Sequence, residues 1–409
     1  MKLLVIGNSA LSQSESNGRV NRTLLSAFAD EEIYNFALRG IPDIPNIHYA
    51  MVGDGAALKS ALTFGIKKPN IVPTAYPQGS FVAQNPKSKS AFNHYLREMV
   101  WRTGFWKRGE AKKWLADTRF DAVFLIAGDA GFLYRLACEV GRKQGIPVFV
   151  YSTEDYFLKR YDYMARKEKP GFWAKRFLSL LRKDASVCFH QAKRSFLCCE
   201  KLKSSIQKAF GVDNLEVVYQ PSLLIPRVAF PSRPIQNIVY GGNINVSRLP
   251  SLKEIGNALF QIDERLALDL YGHCPEELLP ELTCAGLRYR GLIPYEELLQ
   301  VYKDSDLLVH AEGFDAYTRL DYAHGFSTKI GDCYRSGVPF FLYGPKDIPC
   351  IQFGMEVSPN FTASDPSELK NKLADILSGK VEYHVDENRV AECFDASKVS
   401  HHLRETIES

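Results

Sequence analysis

Short, uninterrupted hydrophobic runs alternate along the chain with longer segments of mixed polarity. In the first part the hydrophobic runs are 2–7, 120–128 and 147–152, and the segments of helical length are 20–29 and 131–145. Runs of Val, Ile, Leu and Phe without polar alternation are typical of parallel strands that are covered on both faces. The pattern therefore predicts βαβ units built on a parallel sheet.

The same pattern continues to about residue 220 and then breaks. It predicts a strand at 186–190, a helix at 192–208 and a strand at 215–220. A segment without periodicity follows and contains four prolines, Pro221, Pro226, Pro231 and Pro234. Proline-rich, non-periodic sequence between two patterned halves indicates an interdomain linker. Residues 40–90 are rich in loop-forming residues and predict no particular element.

Strand and helix patterns start again after the linker. They predict a strand at 237–242, a helix at 248–261, a strand at 266–272, further elements at 287–313 and a helix followed by a strand at 324–345. The chain is therefore expected to be an α/β protein of two doubly wound domains, 1–220 and 235–409, that face each other across a cleft. The last helix is expected to pack back on the first domain.

The composition places these domains in an ordinary globular protein. Hydrophobic residues make up 45% of the 409 residues and charged residues 24%. No apolar run approaches the ~18 residues of a membrane span, and the N-terminal MKLLVIGNSA fits a buried strand better than a signal peptide. The nine cysteines lack CxxC or Cys/His metal spacing, which suits reduced thiols. We therefore expect a cytosolic protein without a metal site or other cofactor.

Charge is distributed unevenly between the two halves. Residues 1–230 hold 34 Lys and Arg against 20 Asp and Glu, whereas residues 231–409 hold 17 against 27. Much of the positive excess lies with aromatic residues in 97–115 and 156–183. Such runs are often only solvated helix faces, but Lys and Arg mixed with Trp, Phe and Leu also suit peripheral contact with an anionic membrane, at about 1 kcal/mol per basic residue. Nucleic acid is disfavoured because no nucleic-acid-binding motif is recognisable.

The loop after the first predicted strand contains Gly18, just before a helix. Ligands of open α/β sheets bind beyond the carboxyl ends of the strands, where loops lead into helices. Glycine permits close approach of the backbone, and a helix N-terminus attracts anions, so a phosphate or a sugar is one interpretation. A flexible loop without a ligand is the other. The segment contains neither GxGxxG nor a P-loop, which argues against NAD and against P-loop nucleotide binding.

A second glycine-containing loop follows the strand at 237–242. Gly241 and Gly242 precede Asn243, and Arg248 stands just before the next predicted helix. Exposed backbone amides near a guanidinium suit a diphosphate, because Arg binds phosphate in bidentate fashion. Alternatively, the two glycines mark only a tight turn.

The segment HGFSTKIGDCYRSGVPFFLYGP, residues 324–345, gathers polar residues at the start of a predicted helix. Ser327 or Thr328 is expected to cap this helix. Lys329 lies in the first turn, where the helix dipole disfavours a cation unless a bound anion offsets it. Asp332 either balances the dipole or accepts hydrogen bonds from a ribose diol. These features together predict a diphosphate site.

This segment resembles the donor-site signature of glycosyltransferases of the GT-B fold, in particular the family-4-like group. There a Ser-x-Lys segment leads to an acidic residue and then to a small residue, Gly-x-Pro. The segments VYGGNINVSR, LDLYGHCPE and RGLIPYEELLQVYKDSDLLVH resemble the preceding parts of that domain in the same order. The resemblance covers about residues 237–345, with a weaker likeness in the first domain. It implies two Rossmann-like domains.

The resemblance implies a nucleoside-diphosphate sugar, with UDP or GDP, bound in the C-terminal domain. The residues it places on the diphosphate and ribose are Gly242, Asn243, Arg248, Ser327, Thr328, Lys329 and Asp332. The base would lie near the backbone of Gly272, Leu292 and Ile293. The acceptor, a glycan or a lipid-linked molecule, would lie at Ser9, Gly18, Arg19 and Asp129. Basic side chains would neutralise the leaving diphosphate without a metal.

The sequence departs from the family pattern at the acidic residues. Retaining members carry two glutamates separated by seven residues, whereas here Glu312 and Asp332 are separated by an insertion. A histidine often follows the strand that corresponds to 147–152, but this chain has Glu154 and Asp155. These carboxylates either act as a general base and bind acceptor hydroxyls or form local ion pairs with Lys159 and Arg160. The catalytic candidates are therefore Glu154, Asp155 and Glu312.

The predicted function is transfer of a hexose to a glycan or lipid-linked acceptor in the synthesis of surface polysaccharide or glycoconjugate. Two alternatives remain open. A nucleotide-sugar epimerase of the same fold needs no acceptor site. A catalytically silent accessory subunit would use its basic face to recruit a partner or a membrane.

Overall fold

The computed structural model describes residues 1–69, 90–226, 234–245 and 247–409. The chain divides into two compact units, one of residues 1–218 with 400–409 and the other of residues 219–399. Pro231 of the predicted linker and part of the unassigned segment 40–90, from residue 70 to 89, lie outside the described residues.

The first unit contains a seven-stranded parallel sheet in the order β3-β2-β1-β4-β5-β6-β7. Its strands are β1 (Lys2–Ser9), β2 (Glu32–Arg39), β3 (Ile47–Met51), β4 (Ala122–Ile126), β5 (Val148–Ser152), β6 (Arg194–Leu197) and β7 (Leu215–Val217). Its helices are α1 (Ser16–Leu24), α2 (Asp54–Leu62), α3 (Ala91–Arg102), α4 (Glu110–Asp117), α5 (Gly131–Gln144), α6 (Phe172–Gln191) and α7 (Glu200–Phe210). Residues Leu3 to Ile6 of β1 are inaccessible to solvent, as expected for a strand covered on both faces.

The second unit contains a six-stranded parallel sheet in the order β10-β9-β8-β11-β12-β13. Its strands are β8 (Ile238–Gly241), β9 (Leu268–Tyr271), β10 (Leu287–Gly291), β11 (Leu307–Ala311), β12 (Phe340–Tyr343) and β13 (Thr362–Ala363). Its helices are α8 (Leu249–Ile262), α9 (Tyr295–Asp304), α10 (Ala316–Asp321), α11 (Lys329–Arg335), α12 (Pro349–Val357), α13 (Pro366–Leu377) and α14 (Glu387–Phe394). The prediction of two doubly wound α/β domains is confirmed.

In each sheet the strand order reverses beside the first strand of the unit. The reversal lies between β1 and β4 in the first unit and between β8 and β11 in the second. Ligands of doubly wound sheets bind at the carboxyl ends of the strands at such a reversal. The loops after these four strands are therefore the places to look for function.

The last helix, α15 (Ala396–Glu408), begins in the second unit and ends in the first. Leu403 and Ile407 are buried, and Arg404 donates a hydrogen bond of 2.8 Å to the carbonyl of Ala27 and contacts Glu31. The C-terminal ten residues are thus part of the hydrophobic core of the first unit.

Two predictions about individual elements were wrong. Residues 186–190, predicted as a strand, form the last part of the long helix α6. The segment predicted as a helix from 192 to 208 instead contains strand β6 and then helix α7, which ends at Phe210. The apolar run at 186–190 continues a helical stripe with Phe177 and Leu181, and a short run alone does not distinguish a buried helix from a strand.

In the described part of the chain, every helix is either too short or too polar to cross a membrane.

Candidate functional site

The carboxyl ends of β8, β9 and β10 each lead into a glycine with positive φ. The φ angles are +151° at Gly242, +145° at Gly272 and +86° at Gly291, values that favour residues without a side chain. Gly242 donates its amide to Tyr271 and Gly272 donates to Gly291, over 2.8 and 2.9 Å. The three loops therefore continue the hydrogen-bonded order of the strands. Together these loops form a surface, hereafter the glycine shelf, to which Gly242, Gly272 and Gly291 contribute backbone but no side chain.

A side chain would meet close neighbours at two of these positions. A Cβ added to Gly272 would lie 2.0 Å from the carbonyl oxygen of Gly242, and a Cβ added to Gly242 would lie 1.9 Å from Nζ of Lys329. Nothing within 4 Å would obstruct a Cβ at Gly291. The amine of Lys329 therefore occupies the space that a side chain at position 242 would fill.

Lys329 is fixed in this position by Tyr240 on strand β8. Its Nζ donates a hydrogen bond of 3.1 Å to the Tyr240 hydroxyl and lies 4.3 Å from the centre of the ring. The Tyr240 hydroxyl in turn donates to the carbonyl of Asn243 over 2.9 Å. The lysine is half-buried at the first position of α11, so the cation is held at the strand ends.

The predicted capping of α11 by a hydroxyl was wrong in detail. Thr328 stands at the N-cap position, but its side chain makes no capping hydrogen bond, and Ser327 precedes it. Thr328 has a helical backbone conformation with φ −61° and ψ −24°, whereas a capping side chain usually requires an extended one. Helix capping therefore does not account for the hydroxyl of Thr328.

Arg248 and Glu312 form a buried ion pair that the sequence did not reveal. Nε and Nη2 of Arg248 donate to the two carboxylate oxygens of Glu312 over 3.1 and 2.7 Å. Arg248 is 7% exposed and Glu312 is 1% exposed. Burial alone would raise the pKa of Glu312, but Arg248 and His310 outweigh it and hold this pKa well below its usual range. Glu312 is therefore ionised and bound to Arg248.

His310 completes this buried cluster. Its Nε2 lies 2.9 Å from Glu312 and 3.8 Å from the thiol of Cys350. Burial lowers the pKa of His310 to about 4 even though Glu312 opposes the shift. Among the described residues, His310, Glu312 and Cys350 are the group with suitable atoms for a metal. Because the Arg248 guanidinium is bonded to both oxygens of Glu312, the group is better described as an ion-pair cluster.

Asp332 anchors the start of helix α9. Its two oxygens accept hydrogen bonds from the Ser222 hydroxyl at 2.6 Å and from the Tyr295 hydroxyl at 2.8 Å. Tyr295 follows the loop that contains Leu292 and Ile293, where the Leu292 side chain is 72% exposed next to Gly291. Asp332, Leu292 and Ile293 therefore lie around one connection, between β10 and α9.

In the first unit, Gly18 packs against its own loop. A Cβ at this position would lie 2.5 Å from the carbonyl oxygen of Ala10 and 2.7 Å from the amide of Ser12. The glycine is buried and lets α1 approach the segment after β1. This packing accounts for Gly18 without a ligand. Ser9 and Arg19, its predicted neighbours at an acceptor site, are half-buried.

Asp129 follows β4 and contacts residues from two other elements. Nδ2 of Asn8, on β1, donates to one of its oxygens over 3.2 Å, and Nδ1 of His94, on α3, lies 3.7 Å from the other. The Asn8 Oδ1 atom and the nearby Tyr163 hydroxyl are buried without a hydrogen-bond partner in the described chain. Buried polar atoms of this kind usually have partners, so their presence points to a bound hydroxyl or water.

The two carboxylates after β5 have different environments. Asp155 is 5% exposed and forms an ion pair of 3.2 Å with buried Lys159, whereas Glu154 is exposed. The local ion pair that the sequence left open is therefore present for Asp155. Lys159 also lies over the rings of Tyr156, Tyr161 and Tyr163.

Sequence reasoning missed Tyr240 and His94. Tyr240 stands in a continuous apolar strand and looks like an ordinary core residue. His94 comes directly after the segment that predicted no element. Neither residue has a local signal, because each acquires its partner only when distant elements meet.

Neither the comparison with protein-family models nor that with curated proteins gave a match for this chain. Solved structures do match it over its whole length. HepE of Anabaena, in complex with UDP and glucose, has a TM-score of 0.59 at 13% identity and is aligned over 100% of this chain and 99% of its own.

Two further structures agree with this match. The catalytic domain of starch synthase IV from Arabidopsis thaliana, bound to ADP and acarbose, has a TM-score of 0.55 at 9% identity, with 100% and 98% of the two chains covered. AviGT4, a glycosyltransferase involved in avilamycin A biosynthesis, has a TM-score of 0.53 at 11% identity, with 100% and 97% covered. At such low identity these likenesses show the fold. The predicted GT-B fold is confirmed.

Proposed function

We propose that the protein is a glycosyltransferase that moves a sugar from a nucleoside-diphosphate donor to an acceptor hydroxyl. The observation that carries this proposal is the Lys329 amine, held over the glycine shelf at the strand reversal of the second sheet. A cation beside side-chain-free backbone suits a diphosphate. HepE was solved in complex with UDP and glucose, and starch synthase IV with ADP and acarbose.

In the proposed donor site, Lys329 binds the diphosphate together with Gly242 and Asn243. Arg248 donates one hydrogen of Nε and one of Nη2 to Glu312, so the two hydrogens on Nη1 and the second one on Nη2 would serve the diphosphate. Glu312 then acts by positioning Arg248. Thr328 and Ser327, whose hydroxyls do not cap α11, would bind the same phosphates.

The nucleoside would lie across Gly272 and Gly291. Asp332, whose oxygens accept hydrogen bonds from the Ser222 and Tyr295 hydroxyls, is the carboxylate that would accept one from the ribose. The exposed side chain of Leu292 offers apolar contact to the base. Both UDP and GDP are candidates, because Gly272, Leu292 and Ile293 would offer a base only backbone groups and apolar side chains.

The acceptor would be bound at the strand reversal of the first unit. Asp129 faces Nδ1 of His94, so Nε2 is the atom that would take the proton from the acceptor hydroxyl. The acceptor oxygen bonds to the anomeric carbon, the bond from that carbon to the diphosphate oxygen breaks, and the nucleoside diphosphate leaves. Ser9 and Arg19 are further contacts in this proposal, and exposed Glu154 is the second candidate base. A glycan or lipid-linked acceptor in surface polysaccharide or glycoconjugate synthesis fits best with the basic first half.

Thermal unfolding with UDP, GDP, UDP-glucose and GDP-mannose tests the donor site. A ligand at roughly 100 times its Kd should stabilise the protein by about 2.7 kcal/mol. We expect this gain for the wild type and its loss in Lys329→Gln. Lys346→Gln, which removes an exposed lysine of the same unit, is the matched control and should keep the gain.

Two results would contradict the proposal. If none of the four nucleotides stabilises the wild type, the donor site is wrong. If a nucleotide sugar incubated alone is converted into its epimer, the protein is an epimerase. Should Lys329→Gln abolish nucleotide binding without changing the biological activity of the protein, the accessory-subunit alternative would replace the enzyme.

A further inference from the structure

The sequence suggested that 97–115 and 156–183 both contact an anionic membrane. In the structure the two stretches differ in the exposure of their aromatic residues. In 97–115, Trp101 and Trp106 are 2% and 1% exposed and belong to the core. Three of the six basic residues of this stretch form ion pairs. Arg97 pairs with Asp54, Arg102 with Glu98 and Asp184, and Lys107 with Glu139. The two tryptophans and these three basic residues therefore serve the structure of the first unit.

The second stretch exposes its aromatic residues at the start of helix α6. Phe172 and Trp173 are 61% and 41% exposed, although Ala174 and Phe177 of the same turns are buried. The first turn of α6 is thus apolar on its solvent side as well as on its core side. A helix that only needed to pack on the sheet would carry polar residues there.

Helix α3 extends this apolar surface. Phe92 and Leu96, four residues apart on one helix face, are 45% and 46% exposed. The ring of Phe92 lies 5.1 Å from that of Trp173, and the ring of Phe172 lies 4.9 Å from the same tryptophan. Phe92, Leu96, Phe172 and Trp173 therefore make one surface, hereafter the aromatic patch. Contiguous exposed apolar surface of this kind marks an interaction site.

The chain segment that carries Phe172 and Trp173 is rich in positive charge. The Arg176 guanidinium lies 5.3 Å from the Phe172 ring, and the exposed charged residues of 165–176 are the five basic residues Arg166, Lys167, Lys169, Lys175 and Arg176 and one acidic residue, Glu168. In the described part of the chain, none of these five side chains forms an ion pair with a carboxylate. Five cations on the segment that carries two exposed aromatic residues match an anionic lipid surface, where aromatic side chains enter the interface and basic ones meet the headgroups.

We propose that the aromatic patch docks the first unit on an anionic lipid bilayer. The bilayer is the favoured partner because a protein partner of similar apolar area would not require this excess of unpaired cations. The docking does not depend on nucleotide binding, so its failure and that of the proposed transferase activity are distinguishable.

Co-sedimentation with vesicles tests the proposal on the full-length protein. We expect binding to vesicles of equal parts phosphatidylglycerol and phosphatidylcholine, and none to vesicles of phosphatidylcholine alone. The double variant Phe172→Ser with Trp173→Ser should lose binding. Met355→Ser, which removes a side chain of similar exposure (44%) in the second unit, should bind as the wild type does. Because the altered side chains are exposed, thermal midpoints should be unchanged.

Charge and fluorescence give independent measurements. Lys175→Gln and Arg176→Gln should each lower the partition coefficient about fivefold, and added salt should weaken wild-type binding. Trp173 is the most exposed of the four tryptophans, so vesicles should shift the fluorescence to the blue in the wild type and not in Trp173→Phe.

Three results would overturn the proposal. The first is equal binding to neutral and anionic vesicles. The second is unchanged vesicle binding by the double variant. The third is a dimer in sedimentation velocity that dissociates in the double variant while vesicles are not bound, which would assign the aromatic patch to a second copy of the chain.

Discussion

The glycine at position 242 and the lysine at position 329 depend on each other. The Lys329 amine lies where a Cβ of residue 242 would be, and Tyr240 holds it there. The absence of one side chain thus sets the position of another that stands 87 residues later. The effect of a side chain at position 242 on the Lys329 amine can be separated from the effect of the positive φ angle on folding stability.

We predict that Gly242→Ala abolishes stabilisation by the nucleotide that the wild type binds, because the methyl group displaces the Lys329 amine. The positive φ should also cost about 1 kcal/mol of folding stability. Gly379→Ala is the control, since Gly379 has a φ of +70° with no atom near the added Cβ. It should show the same loss of stability with unchanged nucleotide binding. If Gly242→Ala binds nucleotide normally, the position of Lys329 on the glycine shelf is irrelevant to binding.

Glu98 is a buried carboxyl that we expect to affect how the free energy of unfolding depends on pH. It is 2% exposed, and burial raises its pKa to about 7 although Arg102 opposes the shift. Arg102 Nε lies 3.0 Å from Glu98, but the geometry does not make a hydrogen bond. We regard the contact as electrostatic, because Arg102 also pairs with Asp184.

Glu98 holds its proton more tightly in the folded protein than in the unfolded one. The free energy of unfolding should therefore fall as the pH rises from about 4.5 to about 7. The loss should reach up to about 3 kcal/mol. His310, with its pKa lowered to about 4, acts in the opposite direction between pH 4 and 6.5. Denaturant unfolding of the wild type and of Glu98→Gln, compared at each pH, isolates the Glu98 contribution. A difference between the two proteins that does not change between pH 5 and pH 8 would contradict the prediction.

At the scale of secondary structure elements, helix α1 and the loop after β1 form one closely packed unit. Gly18 lets the helix approach the backbone at Ala10 and Ser12, and Asp43 accepts hydrogen bonds from Ser12 and Ser14 in the same loop. The conformation of this loop is therefore maintained by contacts within the protein.

We predict that Gly18→Ala destabilises the protein by about 1–3 kcal/mol, since the added methyl meets backbone atoms that have no room to move. Gly55→Ala in α2 is the matched control, because Gly55 is also near a helix N-terminus but has open space around it. That change should stabilise by about 0.5–1 kcal/mol. Urea unfolding measures both. An unaltered stability of Gly18→Ala would favour a role of Gly18 in ligand binding.

At the scale of the whole molecule, the chain returns to its first unit after completing the second. The last ten residues contribute Leu403 and Ile407 to the core of the first unit, together with the Arg404 contacts to Ala27 and Glu31. Stability of the first unit therefore depends on residues that are nearly 200 positions from the rest of it.

Leu403→Ala should cost about 2–5 kcal/mol, the usual range for a buried leucine. Native-state hydrogen exchange should show faster exchange in β1 and β2, with β8 and β9 unchanged. Glu405→Ala, an exposed position on the same helix, should have no effect beyond about 0.5 kcal/mol. Faster exchange in β8 and β9 alone would show that the helix stabilises the second unit instead.

Hydrophobic pattern alone predicted several strands and helices of both units, but not strands β2, β3, β6 and β13, nor helices such as α2, α12 and α13. The runs that became β1, β4, β5, β8 and β9 are recognisable because strands covered on both faces contain little else than apolar residues. The helix and the strand of 324–345 were also recognised, as α11 and β12. The run SVCFH at 186–190 was misread because so short a mostly apolar run fits either element.

The chain sequence by itself thus determined the fold class, the division into two sheets and the region where Lys329, Asp332, Gly242 and Arg248 gather. Only the tertiary structure decided which of these groups are paired. Arg248 meets Glu312 across 64 residues, Asp332 meets Ser222 across 110, and His94 meets Asp129 from another element. Periodicity and capping are local properties of the chain, whereas ion pairs and close glycine contacts depend on which loops the sheet order brings to one edge.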